Sequence, residues 1–199
     1  MLMKKMKIVF WGDSFINRTG VKDAQKPEKL FSTHYVGNFC ENVMQSLFIA
    51  YPEIDFSFLN MGVSGETTEK LLNNLRQQTE LVKSEITVLL IGHNDLKHGD
   101  LVNFKRNYIR ILDQLGEWET FIIGISILPI ENGGLLNDLI VECNDWMAAE
   151  LYHRQAVYLD ICSHFRKILS LNQWAAKSLS CLRRHIICLS CQMHILAKR

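Results

Sequence analysis

The sequence predicts an α/β protein, a single domain whose parallel β-sheet is covered by helices on both faces. Three observations point there. Five short apolar runs, 7–11, 56–61, 86–92, 120–128 and 156–161, alternate with longer stretches of helical spacing. Several of these runs are continuously apolar rather than alternating, which is the pattern of strands buried on both faces. The length, 199 residues, suits one core better than two.

Taken in order, the run 7–11 follows Lys4, Lys5 and Lys7 and stops on Gly12-Asp13-Ser14. It is too short for the apolar core of a signal peptide, ~7–15 residues, so the lysines read as a solvated lead-in and the cytoplasm is the expected compartment. Residues 36–50 repeat apolar side chains at Val36, Phe39, Cys40, Val43, Leu47 and Ala50, with Pro52 after them, as an amphipathic helix requires. The strand 56–61 comes next, then a helix over 68–82 with Leu71, Leu72, Leu75 and Val82 on its apolar side. Beyond the strand 86–92, residues 104–115 carry Tyr108, Ile111, Leu112 and Leu115, and Gly116 closes that helix. The strand 120–128 leads to a helix over 135–152, marked by Leu136, Leu139, Ile140, Cys143, Met147 and Leu151, and then to the last strand, 156–161. Helices of this length serve as right-handed crossovers between parallel strands, which puts them on both faces of the sheet.

Composition narrows the function. With 48% apolar and 22% charged residues, 3 Pro and 11 Gly, the chain is neither disordered nor collagen-like. No run approaches the ~20 apolar residues of a membrane span. The net charge of +1 hides an asymmetry: all 21 acidic residues lie at or before Asp160, while the 39 residues after it hold seven Lys or Arg and four of the six Cys. The main domain is therefore read as 1–165, with 166–199 as an atypical basic, Cys-rich segment of the same domain. The tail cations lack interleaved aromatics and do not argue for nucleic acid. Cys188 and Cys191 have CxxC spacing, but no second pair follows and His185 and His194 flank it irregularly, so no metal is expected. The thiols suit a reducing compartment.

The chemistry is written after the strands. In open α/β sheets ligands bind beyond the carboxyl edge, and there stand Gly12-Asp13-Ser14, Gly62-Val63-Ser64-Gly65 and Gly92-His93-Asn94-Asp95. If the first strand lies between the second and third, the three loops converge. A serine hydroxyl needs a base to become a nucleophile, and acyl transfer needs donors aimed at the developing oxyanion. Ser14 offers the hydroxyl and its own N–H. Gly62 offers an amide free of a Cβ, and Asn94 offers a carboxamide donor.

These blocks, in this order, resemble the GDSL-like SGNH hydrolase family of esterases, lipases and thioesterases over roughly residues 7–161. The resemblance implies a three-layer α/β/α, flavodoxin-like fold with five parallel strands ordered 2-1-3-4-5. It implies Ser14 as nucleophile, with Ser14, Gly62 and Asn94 as oxyanion donors and Gly12, Asp13, Gly92 and Asp95 supporting them. A small-molecule acyl ester is then the substrate, with no cofactor. Phe15 stands where the family often has Leu.

The family's closing Asp-x-x-His, which supplies the general base and its orienting acid, has no counterpart. No Asp or Glu follows Asp160, which leaves His185 as the candidate base. The pair Asp160 and His164 is one residue too widely spaced, and Asp160 reads as an ordinary strand-terminal residue. Three expectations cover the tail: a shifted reading frame, a variant with an impaired site that acts as a binding module, or a basic segment for a partner or anionic surface. A flavin or nucleotide module of the same architecture is disfavoured, because Asp13 would repel a phosphate. Of the remaining residues, Asp13 and Asp95 read as braces and Trp11 as core. His93 reads as a pocket or surface side chain, and His34, His98 and His153 as surface. Arg18, Lys22, Lys26 and Lys29 belong to a solvated loop.

Overall fold

The computed structural model of the protein describes residues 4–17, 39–77, 82–130 and 133–171. Every apolar run falls on a strand, β1 and β2 being longer than their runs and the other three shorter: β1 (Lys4–Gly12), β2 (Ile54–Gly62), β3 (Ile86–Leu90), β4 (Phe121–Ile125) and β5 (Val157–Leu159). All pairings are parallel and the order is β2-β1-β3-β4-β5. The helices are α1 (Ser14–Asn17), α2 (Phe39–Ala50), α3 (Thr68–Gln77), α4 (His93–Lys97), α5 (Leu101–Glu117), α6 (Leu135–His153) and α7 (Ile161–Leu171).

Two apolar layers hold the sheet. On one face, Leu71, Leu72 and Leu75 of α3, Phe104, Tyr108 and Ile111 of α5, and Cys143, Met147 and Leu151 of α6 pack with Val9, Trp11, Leu89 and Ile91. On the other, Ile16 of α1, Val43 and Leu47 of α2 and Ile161 of α7 pack with Ile8, Phe10, Phe56, Val88 and Leu90. Successive β1 residues thus feed opposite layers, as the period of two demands. Both faces are covered, which is why this strand reads as an unbroken apolar run. Trp11 is core, as expected, with 1% of its surface exposed.

The differences from the sequence reading have local causes. β4 stops at Ile125 although apolar residues continue. Ser126 turns inward there, and its Oγ accepts the amides of Ile161 and Cys162 at 2.9 and 2.7 Å, capping α7. The third long helix runs through Gly116 to Glu117, and the chain reverses at Glu119, whose φ is 55°. The short helices α1 and α4, and α7, are additions to the elements foreseen. Cys40, Cys143 and Cys162 are free and buried. Burial pushes the Cys40 thiol up to about 12 and that of Cys143 to about 11, so neither is a ready thiolate. Among the described residues no helix is long and apolar enough to cross a membrane, and no group of three metal-ligating side chains is present.

Candidate active site

The register of the sheet brings the three loops together. Gly12, the last residue of β1, pairs with Gly62 on β2 and with Leu90 on β3. The Val63 N–H donates to the Gly12 carbonyl at 2.9 Å, so the two chains leave the sheet side by side. A Cβ on Gly12 would overlap the Leu90 carbonyl oxygen, hence the glycine.

Ser14 follows two residues later as the first residue of α1, half-buried. Asp13 is the cap of this helix. Its carbonyl accepts the amides of Ile16 and Asn17 at 3.1 and 3.0 Å, and its Oδ1 accepts the Phe15 amide at 2.9 Å. The Ser14 N–H, at the first helical position, has no acceptor within the helix. α1 lies tight against the end of β2: a Cβ on Gly62 would come within 2.6 Å of both the Asn17 nitrogen and Ile16 Cγ2. Asn60 Nδ2 donates to the Ile16 carbonyl at 3.0 Å, and Asn17 Nδ2 donates to Ser64 Oγ at 3.3 Å.

Gly62 is beside the nucleophile loop, but its amide is engaged. The Gly62 N–H donates to Asn60 Oδ1 at 2.9 Å, and an amide has one hydrogen to give. Its expected role as a free oxyanion donor therefore does not fit this arrangement, and packing under α1 explains the glycine instead. Three residues on, Glu66 N–H closes a turn onto the Val63 carbonyl at 3.1 Å with Gly65 at φ 76°, the type II position that favours glycine. The Gly65 N–H lies outside the bond that closes this turn. Sequence reasoning passed over Gly65, although it stands in the same Gly-x-x-Gly loop as Gly62.

Gly92 ends the third block with φ 125°, where a side chain is strained, and a Cβ would meet Phe104 and Ile127 at 2.6 and 2.7 Å. Asn94, half-buried on α4, donates one Nδ2 hydrogen to the Glu66 carbonyl at 2.7 Å and keeps the second. Asp95 is buried and accepts the Thr68 amide at 3.1 Å on each carboxylate oxygen, with the Thr68 hydroxyl on Oδ1 at 2.5 Å. Burial raises its pKa, and the bonds from Thr68 hold that rise back. Glu66 is likewise pushed up by burial, offset by Lys70 and by Asn74, whose Nδ2 donates to Oε1 at 2.8 Å.

His93 sits edge-on to Phe15, with ring centroids 5.5 Å apart. Its Nδ1 is buried with no hydrogen-bond partner. Burial, helped by Lys97, lowers its pKa, so the ring is neutral at pH 7. Asp160 caps α7 by accepting the Ser163 amide at 2.9 Å, in keeping with a strand-terminal role. His98, His153 and His164 are exposed. His34, His185, the CxxC pair and the four cations Arg18, Lys22, Lys26 and Lys29 lie outside the described residues.

A five-stranded parallel sheet in the order 2-1-3-4-5, with helices on both faces and the serine, glycine and asparagine loops at one carboxyl edge, defines a three-layer, flavodoxin-like α/β/α protein. The chain belongs to the GDSL-like Lipase/Acylhydrolase family, whose model matches residues 10–180, and membership supports an ester-hydrolysing enzyme. No curated protein matches the sequence. Solved structures agree in fold. The acetylxylan esterase Axe2 from Geobacillus stearothermophilus, as an aspartate-to-alanine variant, is 16% identical over 94% of both chains with a TM-score of 0.73. LAE5, an α/β hydrolase enzyme from the metagenome of Lake Arreo, Spain, is 19% identical over 85% of this chain and 83% of that one, with a TM-score of 0.67. TesA is 17% identical over 76% of each chain, with a TM-score of 0.60. Axe2 variants with an aspartate, a serine or a histidine replaced by alanine are described as catalytic mutants of that enzyme.

Proposed function

We propose that the chain is a serine hydrolase that cleaves carboxylic esters, thioesters included, through an acyl-serine intermediate. Ser14 Oγ attacks the acyl carbon while a base takes its proton. Collapse of the tetrahedral intermediate breaks the bond to the leaving oxygen or sulfur, which receives that proton. Water then attacks the acyl-serine, releasing the carboxylic acid and restoring the Ser14 hydroxyl. The oxyanion is held by the Ser14 N–H, the second Nδ2 hydrogen of Asn94 and an amide of the β2 loop. Of the two glycines in that loop, Gly65 has the open N–H, whereas Gly62 serves only if Asn60 lets go. His185 is the candidate base. The chemistry needs no metal or organic cofactor.

The observation that carries this reading is the pairing of Gly12 with Gly62, which sets the Ser14 loop against the β2 loop, whose Glu66 carbonyl holds the Asn94 amide. Support also comes from Axe2, for which a serine, a histidine and an aspartate variant are called catalytic mutants. A second reading, a binding module with an impaired site, is favoured by one fact: no Asp or Glu follows Asp160 to orient a histidine. A fluorophosphonate probe separates the two. We expect labelling of the wild type, none of Ser14→Ala, and slowed labelling of His185→Ala. A folded wild type that resists the probe supports the binding module.

A further inference from the structure

We infer that Asp95 is a positioning residue that, through Thr68, fixes the β2 loop against Asn94 and so sets the geometry of the oxyanion donors; this rests on the esterase reading above. Two consecutive residues of α4 grip two nearly consecutive positions where the loop after β2 enters α3. Asn94 Nδ2 holds the Glu66 carbonyl at 2.7 Å, and the Asp95 carboxylate holds the Thr68 amide and hydroxyl, 27 residues away in sequence. Between these grips the chain cannot shift without breaking one of them. Glu66 transmits the hold in both directions. Its N–H closes the turn that contains Gly65, and its carboxylate takes the Asn74 amide from the second turn of α3.

The orientation of the Asn94 carboxamide depends on where the Glu66 carbonyl stands. That carbonyl is fixed by the start of α3, and the start of α3 is fixed by Asp95. The local cap is weak by comparison, since Thr67 Oγ1 accepts the Lys70 amide at 3.4 Å. Asp95 therefore caps α3 from outside the helix. Thr68 is fully buried and Asp95 nearly so, which shields the grip from water. An apolar pair would fill such a place more cheaply than a carboxylate. What a carboxylate adds is direction.

The test uses Asp95→Asn, Thr68→Val and Thr68→Ser, each checked for folding by its melting curve, with the double variant Asp95→Asn/Thr68→Val. In Asp95→Asn and Thr68→Val, kcat on a p-nitrophenyl ester falls about 10- to 100-fold while KM stays within about threefold, as expected when reacting groups lose alignment. The double variant falls no further than the worse single one, and Thr68→Ser restores kcat. Hydrogen exchange of the amides of residues 62–68, read without substrate, speeds up in the same two variants. Folded variants with wild-type kcat and wild-type exchange overturn the inference, as does a loss confined to KM. If the wild type itself neither turns over ester nor takes the fluorophosphonate, the esterase reading fails, and the exchange measurement still decides whether Asp95 holds the loop.

Discussion

The loop after β1 and the loop after β3 are built on the same plan, a glycine followed by a very short helix, yet they are held in different ways. The Ser14 helix is capped at its start by its own Asp13, within four residues. Its long-range bonds leave from its far end, where Asn60 donates to the Ile16 carbonyl and Asn17 donates to Ser64. The Asn94 loop secures itself to something else, because its polar side chains reach Glu66 and Thr68, 28 and 27 residues back in the chain. A nucleophile needs only to project from a stable turn. An oxyanion donor must be aligned with donors on other strands, and a long-range grip supplies that alignment.

Substitutions on the two sides separate these modes. Asn94→Ala removes both a proposed donor and the hold on Glu66. It should cost about 2.7–4 kcal/mol of transition-state stabilisation, the usual loss for one oxyanion donor, read as a fall in kcat on an activated ester. Asn94→Ala with unchanged turnover would remove the asymmetry. On the other side, Asp13→Ala deletes a local cap and should lower folding stability by about 1 kcal/mol, measured by urea unfolding, without changing exchange at residues 62–68.

The smallest effect is the pH response of His93. Its folded pKa lies below the ordinary value, so between the two the unfolded chain binds more protons and stability rises with pH. Acidifying from pH 7 through this window should therefore lower the melting temperature more in the wild type than in His93→Gln. Glu66 and Asp95, with raised folded values, act in the opposite sense, because the folded state then binds the extra proton and gains stability as pH falls. Comparing the two proteins at each pH isolates the imidazole.

The inner strands were legible because burial on both faces leaves a compositional mark, plain in the 86–90 stretch, where every residue of β3 is buried. The edge strand β2, by contrast, showed only as a short apolar run with Ser57 exposed. The four-residue helix at Ser14 and the five-residue helix at His93 were not legible, since too few turns exist for a periodicity to register. The end of β4 escaped because Ser126 answers to residues 35 and 36 positions later, which no local window contains. Within the site, the roles of Asp13 and Asp95 as braces could be read from sequence, but the partner of Asp95 could not. Gly62 illustrates the opposite problem. A glycine in a loop advertises backbone access, whereas here the missing side chain makes room for α1 and the amide answers to Asn60. The start of α7 was passed over as well, although Asp160 and Ser163 spell an ordinary cap.

The nine paired positions between β1 and β2 have one more implication. Sliding β2 by a single step would send Phe56 and Leu59 into each other's layers, against the packing of both. Misalignment of Gly12 with Gly62 is thus penalised by the whole interior, and the reactive edge inherits its accuracy from residues that never meet a substrate.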